Sequence, residues 1–255
     1  MPWLDEFPEV IEGAREATGP RAEAGPRRNE RISLEDPVAG SVRGSVEVGR
    51  FVDRSKAWLD ERAGRVDIVA ITTSPIRTVA EFNVTVTDRG RSAVLPLALV
   101  VEPTPVELRL RVYFSLFALT GERIVRPPLL APNPEANPAG IAGRYLRALR
   151  EGDAAACVAC YEDDGCLQGP GGPGFARCGR TTLAVEYPRH LERGGIVLEP
   201  CTLTTNDERT AVEFNLVRWG DVDLPAQAGI SAYQVGPTGR ILSNRVYDDV
   251  ARPWG

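Results

Sequence analysis

The sequence is poor in several residue types, and each scarcity excludes something. It has one lysine (Lys56), one histidine (His190), one methionine and no cysteine before Cys157. A lone histidine cannot build a His-based metal triad. In "EYPRHLERGG" it sits near a predicted helix end, where an imidazole meets terminal carbonyls. Cys157 and Cys160 form a CxxC, yet no second CxxC and no histidine at finger spacing completes a zinc set. Cys166, Cys178 and Cys201 bring the total to five. An odd count without an export signal predicts reduced thiols, buried as small hydrophobes. No apolar run approaches the roughly 20 residues of a membrane span. The opening "MPWLDEFPEVIEG" has neither the basic flank nor the apolar centre of a secretion signal, so a soluble cytoplasmic protein is expected. GxSxG is absent, and "GPGGPG" lacks the Gly-Lys-Ser/Thr ending of a phosphate loop. Nothing asks for a nucleotide, flavin or metal cofactor. The net charge is -5 and the arginines are scattered, which leaves no footprint for nucleic acid or an anionic membrane. Small molecules and other proteins remain as partners.

What is present is a repetition. "ITTSPIRTVAEFNV" (Ile71 to Val84) and "LTTNDERTAVEFNL" (Leu203 to Leu216) agree at seven of fourteen positions without a gap, where average usage gives roughly one chance match. Leu95-Pro96 is answered by Leu224-Pro225, and Arg111-Val112-Tyr113 by Arg245-Val246-Tyr247. The period is that of a domain and too long for a solenoid. Between the copies "RPPLLAPNPEANPAG" carries prolines that suit an extended arm. The organisation read from this is a first unit over 1–130, a proline-rich linker over 131–138 and a second unit over 139–255.

Each copy has the same coarse order. In the second, "AGIAGRYLRALREGD" spaces Ile141, Tyr145, Leu146 and Leu149 as an amphipathic helix. A second helix follows from Asp153 to about Tyr161, then a Gly/Pro loop, then a third helix from about Thr181 to Leu191. Strands come after: "IVLEPCTLTT", "RTAVEFNLVRWG", "AQAGISAYQVG" and "GRILSNRVYDDV". The first copy repeats the strands as "RVDIVAITTS", "RTVAEFNVTVTD", "SAVLPLALVVE" and "VELRLRVYFSLFAL". Gly and Pro in "GPRAEAGPRRNERISLEDP" indicate shortened or rebuilt opening helices there. Helices first and an antiparallel meander after define an α+β unit.

"ISLEDPVAGSVRGSVEVGRFVDRS" (Ile32 to Ser55) resembles the segment of ketosteroid isomerases that carries the catalytic aspartate, and "GRYLRALREGD" (Gly143 to Asp153) resembles the first helix of that family. Both belong to the wider NTF2-like, or SnoaL-like, superfamily. The resemblance implies two tandem cone-shaped units, each a curved, mostly antiparallel sheet wrapped by helices, forming an intramolecular pseudo-dimer, with a further homodimer left open. It places Asp36 on the proton-shuttling aspartate and Tyr145 on the tyrosine that donates to an enolate oxygen. Counting from the helix puts Gly169 at the aspartate's place in the second copy. At the family's second donor, an acid kept neutral by an apolar site, stand Ala98 and Ser231.

Strand alternation adds candidates of its own. Glu81 and Asn83 share one face of "VAEFNVTV" while Phe82 and Val84 share the other, and Glu213 and Asn215 are set likewise. Such a Glu/Asn pair either lines a cavity or faces away from it, held by cross-strand contacts with Thr72/Thr204 or Arg77/Arg209. As pocket acids, Glu81 and Glu213 would join Asp36 and Tyr145 in catalysis. Trp58, Leu97, Leu99 and Tyr113 in the first copy, with Trp219 and Tyr233 in the second, would give an apolar lining beside Asn83 and Asn215. The leading reading is a cofactor-independent acid/base enzyme, an isomerase, cyclase, dehydratase or epoxide hydrolase, acting on a hydrophobic polyketide-, terpenoid- or steroid-like molecule. Asp36 is its base and Glu81 its helper acid. The competing reading is a non-catalytic ligand-binding or scaffolding protein.

Overall fold

The computed structural model of the protein describes residues 31–250 and 252–254; most of the segment in which rebuilt opening helices were expected lies outside the described residues. Alternating β-branched and polar residues in the first copy form β1 (Ile32–Asp36), β2 (Gly40–Arg43), β3 (Arg65–Ser74), β4 (Arg77–Asp88), β5 (Arg91–Pro103) and β6 (Leu108–Phe114). Helix α1 (Ser45–Asp60) follows β2, and the single turn α2 (Phe117–Thr120) follows β6. The strands lie in the order β2-β1-β6-β5-β4-β3. All neighbours are antiparallel except β1 and β6, which run parallel with Leu34 opposite Leu110 and Glu35 opposite Arg111. One face of this sheet carries Phe82, Val84, Leu95, Leu99, Leu110 and Val112 into an apolar core with Val48 and Leu59 of α1. Fully burying each such side chain stabilises the fold by about 1.5–3 kcal/mol.

The second copy builds the same sheet. Helices α3 (Gly140–Glu151) and α4 (Ala154–Ala159) precede β7 (Tyr161–Gln168), β8 (Ala176–Cys178), α5 (Arg180–His190), β9 (Ile196–Thr205), β10 (Arg209–Trp219), β11 (Val222–Val235) and β12 (Ile241–Tyr247). The order is β8-β7-β12-β11-β10-β9, again with one parallel pair, β7 on β12. The glycine that opens α1, Gly44, and the one that opens α5, Gly179, share a left-handed backbone, φ 86° and 84°, a conformation costly for any residue with a Cβ. The chain is thus two tandem α+β units, each a mixed sheet with helices packed on its core face.

The units meet between Glu122 and Arg123. The sequence placed the end of the first unit at 130 and a linker at 131–138; residues 123–138 instead go with the second unit. They lie against its sheet, with Ala228 N donating to Arg126 O at 2.9 Å and Asn133 N to Pro200 O at 2.7 Å. Register also refines the repeat. Glu81 faces Ala98 and Glu213 faces Ile230, so Leu99 and not Ala98 is the counterpart of Ser231. Leu224-Pro225 is displaced from Leu95-Pro96, because Pro96 faces Asn83 whereas Ala228 faces Asn215.

The cysteine expectation needs correction. Cys157, Cys160 and Cys201 are free and buried, but Cys166 and Cys178 are joined by a disulfide. The sequence pattern predicts no element over residues 162–167, where the structure has strand β7. Its register sets Cys166 directly opposite Cys178 on β8, which brings the two sulfurs within bonding reach. Burial pushes the Cys157 thiol up to about 12, and Cys160 upward as well, so neither is a reactive thiolate. Among the described residues no helix is long and apolar enough to cross a membrane and no cluster could hold a metal ion. Alkylation of the unfolded, unreduced chain should label three cysteines and, after reduction, all five. Replacing both Cys166 and Cys178 with serine should lower unfolding stability by about 3 kcal/mol, as expected for a short closed loop.

Candidate functional site

In the first unit the core face of the sheet does not close completely against α1. A cavity of about 300 Å³ remains. Phe82 and Val84 of β4, Leu95, Leu97 and Leu99 of β5 and Val112 of β6 form its wall. Phe51, Ser55 and Trp58, three to four residues apart along α1, face them. The Arg62 guanidinium stacks 4.5 Å over the Trp58 ring, a contact of about 0.5–1 kcal/mol at an exposed site.

Among the described residues Asp36 is the carboxylate in this lining. It ends β1, and Pro37 after it stops the strand and begins a turn. Oδ1 accepts hydrogen bonds from Val38 N at 2.8 Å and Ala39 N at 2.7 Å, which fixes the side chain. Oδ2 takes part in none of the hydrogen bonds among the described residues, and the residue is 6% exposed. Val38 and Ala39, at the tip of the same turn, line the outer part of the cavity, and Val38 is 60% exposed. The turn therefore holds one carboxylate oxygen and leaves the other beside apolar space.

The remaining predicted residues divide by strand face. Trp58, Leu97 and Leu99 line the cavity. Glu81, Asn83 and Tyr113 do not, because alternation carries them to the opposite face of the sheet from Phe82, Val84 and Phe114. Glu81 is fully buried there. On this face Glu102 accepts from Arg77 at 3.2 Å and Arg111 at 2.7 Å. Burial raises the Glu102 carboxyl, but the two guanidiniums outweigh it and hold it below the ordinary range. This is an ion-pair network of a sheet face, and the pairing of Glu81 with Asp36 in one pocket is corrected accordingly. The residues missed by sequence reasoning are Phe51, Arg54 and Ser55. Their signal was present in "GRFVDRSKAWLDE", whose Phe51, Ser55 and Trp58 fall on one helical stripe.

In the second unit four tyrosines are buried together in the core. Register makes Gly169 the counterpart of Asp36, since Gln168 faces Arg245 as Glu35 faces Arg111. Tyr145 of α3 packs edge-on against Tyr161, Tyr187 and Tyr233, with ring centres 5.8, 6.2 and 5.7 Å away. Asn244 Nδ2 donates to Tyr161 OH at 2.9 Å, the Tyr161 and Tyr187 hydroxyls lie 2.7 Å apart, and Tyr187 OH donates to Tyr145 OH at 3.0 Å. Burial raises all four phenols above their ordinary range. Trp219 belongs to the same core and donates through Nε1 to His190 O at 2.9 Å. Glu213 and Asn215 are on the other face, where Thr202 Oγ1 donates to Glu213 at 2.5 Å and Asn215 Nδ2 to Leu130 O at 2.9 Å.

One further acid escaped the sequence reading. Asp248, just past β12, is half-buried; a Cβ at Gly229 would stand 2.7 Å from the Phe214 ring and 3.0 Å from Asp248 Cβ. Burial pushes its carboxyl up to about 6, against the opposing pull of the Val250 amide and Arg123.

No protein-family model and no curated protein matches the chain. Similar solved structures include an NTF2-like protein of unknown function from Cytophaga hutchinsonii, at 15% identity over 43% of this chain and 87% of that one, TM-score 0.35. A second is SalBIII, described as an epoxide hydrolase/cyclase-like enzyme with a role in pyran ring formation in the polyether salinomycin. It is 21% identical over 42% of this chain and 87% of that one, TM-score 0.36. A third is a protein of unknown function with a cystatin-like fold from Methylobium petroleophilum, 18% identical over 45% and 77%, TM-score 0.37.

Two outcomes follow from these environments. Tyr187→Phe removes the middle hydroxyl of the buried chain and should cost about 1–3 kcal/mol in urea unfolding. A carboxyl whose folded pKa is raised supplies stability below its unfolded value, near 4, that is lost as pH rises through about 6. Asp248→Asn should therefore raise stability by about 1–2 kcal/mol at pH 7.5 and by almost nothing at pH 4, read by thermal unfolding at both values.

Proposed function

We propose that the first unit is a cofactor-independent proton-transfer enzyme for a hydrophobic small molecule, with Asp36 as the group that takes and returns the proton. The observation that carries this is a fixed carboxylate, the one acid among the described residues of the lining, with one oxygen held by its turn and the other unengaged, in the wall of a largely apolar cavity of about 300 Å³. A volume at the low end of ligand pockets suits a compact body. Of the reactions considered from sequence, those that need two carboxylates in one pocket lose support, because Glu81 stands on the far face of β4. An isomerisation fits better: one carboxylate removes a proton from carbon beside a carbonyl and delivers it elsewhere on the same molecule. Negative charge then develops on the carbonyl oxygen. Ser55 and Trp58 carry hydroxyl and indole donors on the facing helix, and such donors act most strongly where water is excluded. The second unit has Gly169 in place of the base and a cluster of buried tyrosines in its core, so turnover is assigned to the first.

A binding protein without catalysis is the alternative, and one observation favours it: the two turn hydrogen bonds alone account for an aspartate at position 36. Asp36→Asn separates the two. Asn keeps an Oδ1 acceptor for Val38 N and Ala39 N but cannot take a proton. With a substrate drawn from a panel of apolar carbonyl compounds, the variant should fold, bind as before and lose about 10²–10⁴ in kcat. Turnover that persists in this variant removes Asp36 as the base.

A further inference from the structure

Arg54 stands where an apolar helix stripe would place another hydrophobe. It lies between Phe51 and Trp58 on the face of α1 that lines the cavity, and it is exposed, whereas Asp36 on the facing wall is buried. The other basic residues of α1 are spoken for: Arg50 pairs with Glu47 at 2.5 Å and Lys56 with Asp60 at 3.1 Å. Arg54 has Arg50, Phe51, Ala57 and Trp58 at its helical neighbour positions. These offer no carboxylate, and among the described residues it forms no ion pair. A permanently charged guanidinium is thus kept on the rim of an apolar cavity with its donor fork unspent. Building on the proton-transfer reading of this cavity, we infer that its ligand is an amphiphilic carboxylic acid. The apolar body fills the space beside Asp36, and the carboxylate sits at the mouth on Arg54. The separation in depth matters, because it keeps the ligand's charge away from the Asp36 carboxylate while the guanidinium orients the reacting end inward.

Decanoate and decan-1-ol serve as probes, equal in chain length and different in headgroup charge, titrated calorimetrically at pH 7.5. Decanoate should bind the native protein about tenfold more tightly than decanol, a typical strength for a charge-assisted hydrogen-bonded pair. High salt should erode that preference, since the pair is exposed. Arg54→Gln should abolish the preference while leaving decanol affinity within about twofold, and Arg54→Lys should restore part of it. Because Arg54 forms no ion pair among the described residues, both variants should melt as the native protein does. Equal affinity for the two probes, equal weakening of both by Arg54→Gln, or no decanoate binding at millimolar concentration overturns the inference. These results leave Asp36 untouched as a base. Conversely, an Asp36→Asn variant that retains both turnover and acid preference removes the catalytic reading and leaves the headgroup assignment standing.

Discussion

Each unit depends on the parallel pairing of its first strand with its last, β1 on β6 and β7 on β12. A parallel neighbour cannot be reached by a hairpin, so the chain between must travel out and back. It does so through a helix and an antiparallel meander, which puts the helix over the face of the sheet that it leaves. The pairing also has a definite register, with Glu35 opposite Arg111 and Gln168 opposite Arg245. One residue further on, the same backbone place is filled by Asp36 in the first unit and Gly169 in the second. The chemical difference between the two halves is therefore carried by side chains on a shared frame.

Given that frame, alternation along β4 decides what the cavity can contain. Phe82 and Val84 must face it, which sends Glu81 and Asn83 away. The buried Glu81 lies on the far face, which also carries the pairs of Glu102 with Arg77 and Arg111, and among the described residues the cavity wall is greasy apart from Asp36, Ser55 and the arginine at its rim. In the proton-transfer reading proposed for this cavity, one group handles the proton twice. Asp36 is suited to this because its geometry is maintained by backbone amides of its own turn and not by a second side chain that could compete for the proton.

The second unit uses the same architecture for packing. Four tyrosines from α3, β7, α5 and β11 meet in its interior, and three of them hydrogen-bond in a chain that runs from Tyr161 through Tyr187 to Tyr145. Buried hydroxyls must be paired to be tolerated, and once paired they polarise one another. The tyrosine that the family resemblance singled out is thus embedded in a fully packed core, with its counterpart base missing.

The amino-acid sequence by itself determined the duplication, the antiparallel meander that closes each copy, and strands β3, β4 and β9 residue for residue. It also determined that Glu81 and Phe82 occupy opposite faces. These are local matters, governed by a period of two along a strand and by proline and glycine at its ends. Tertiary structure alone decided which face meets α1 and leaves a cavity, since alternation states that faces differ and not which neighbour each receives. It decided that "YEDDGCLQ" is a strand, because an acidic stretch without alternation is recruited by the edge of β12 and by its cystine to β8. It decided too that Arg54 lies on a cavity rim and not on a solvated helix surface, a distinction that depends on atoms distant in the chain.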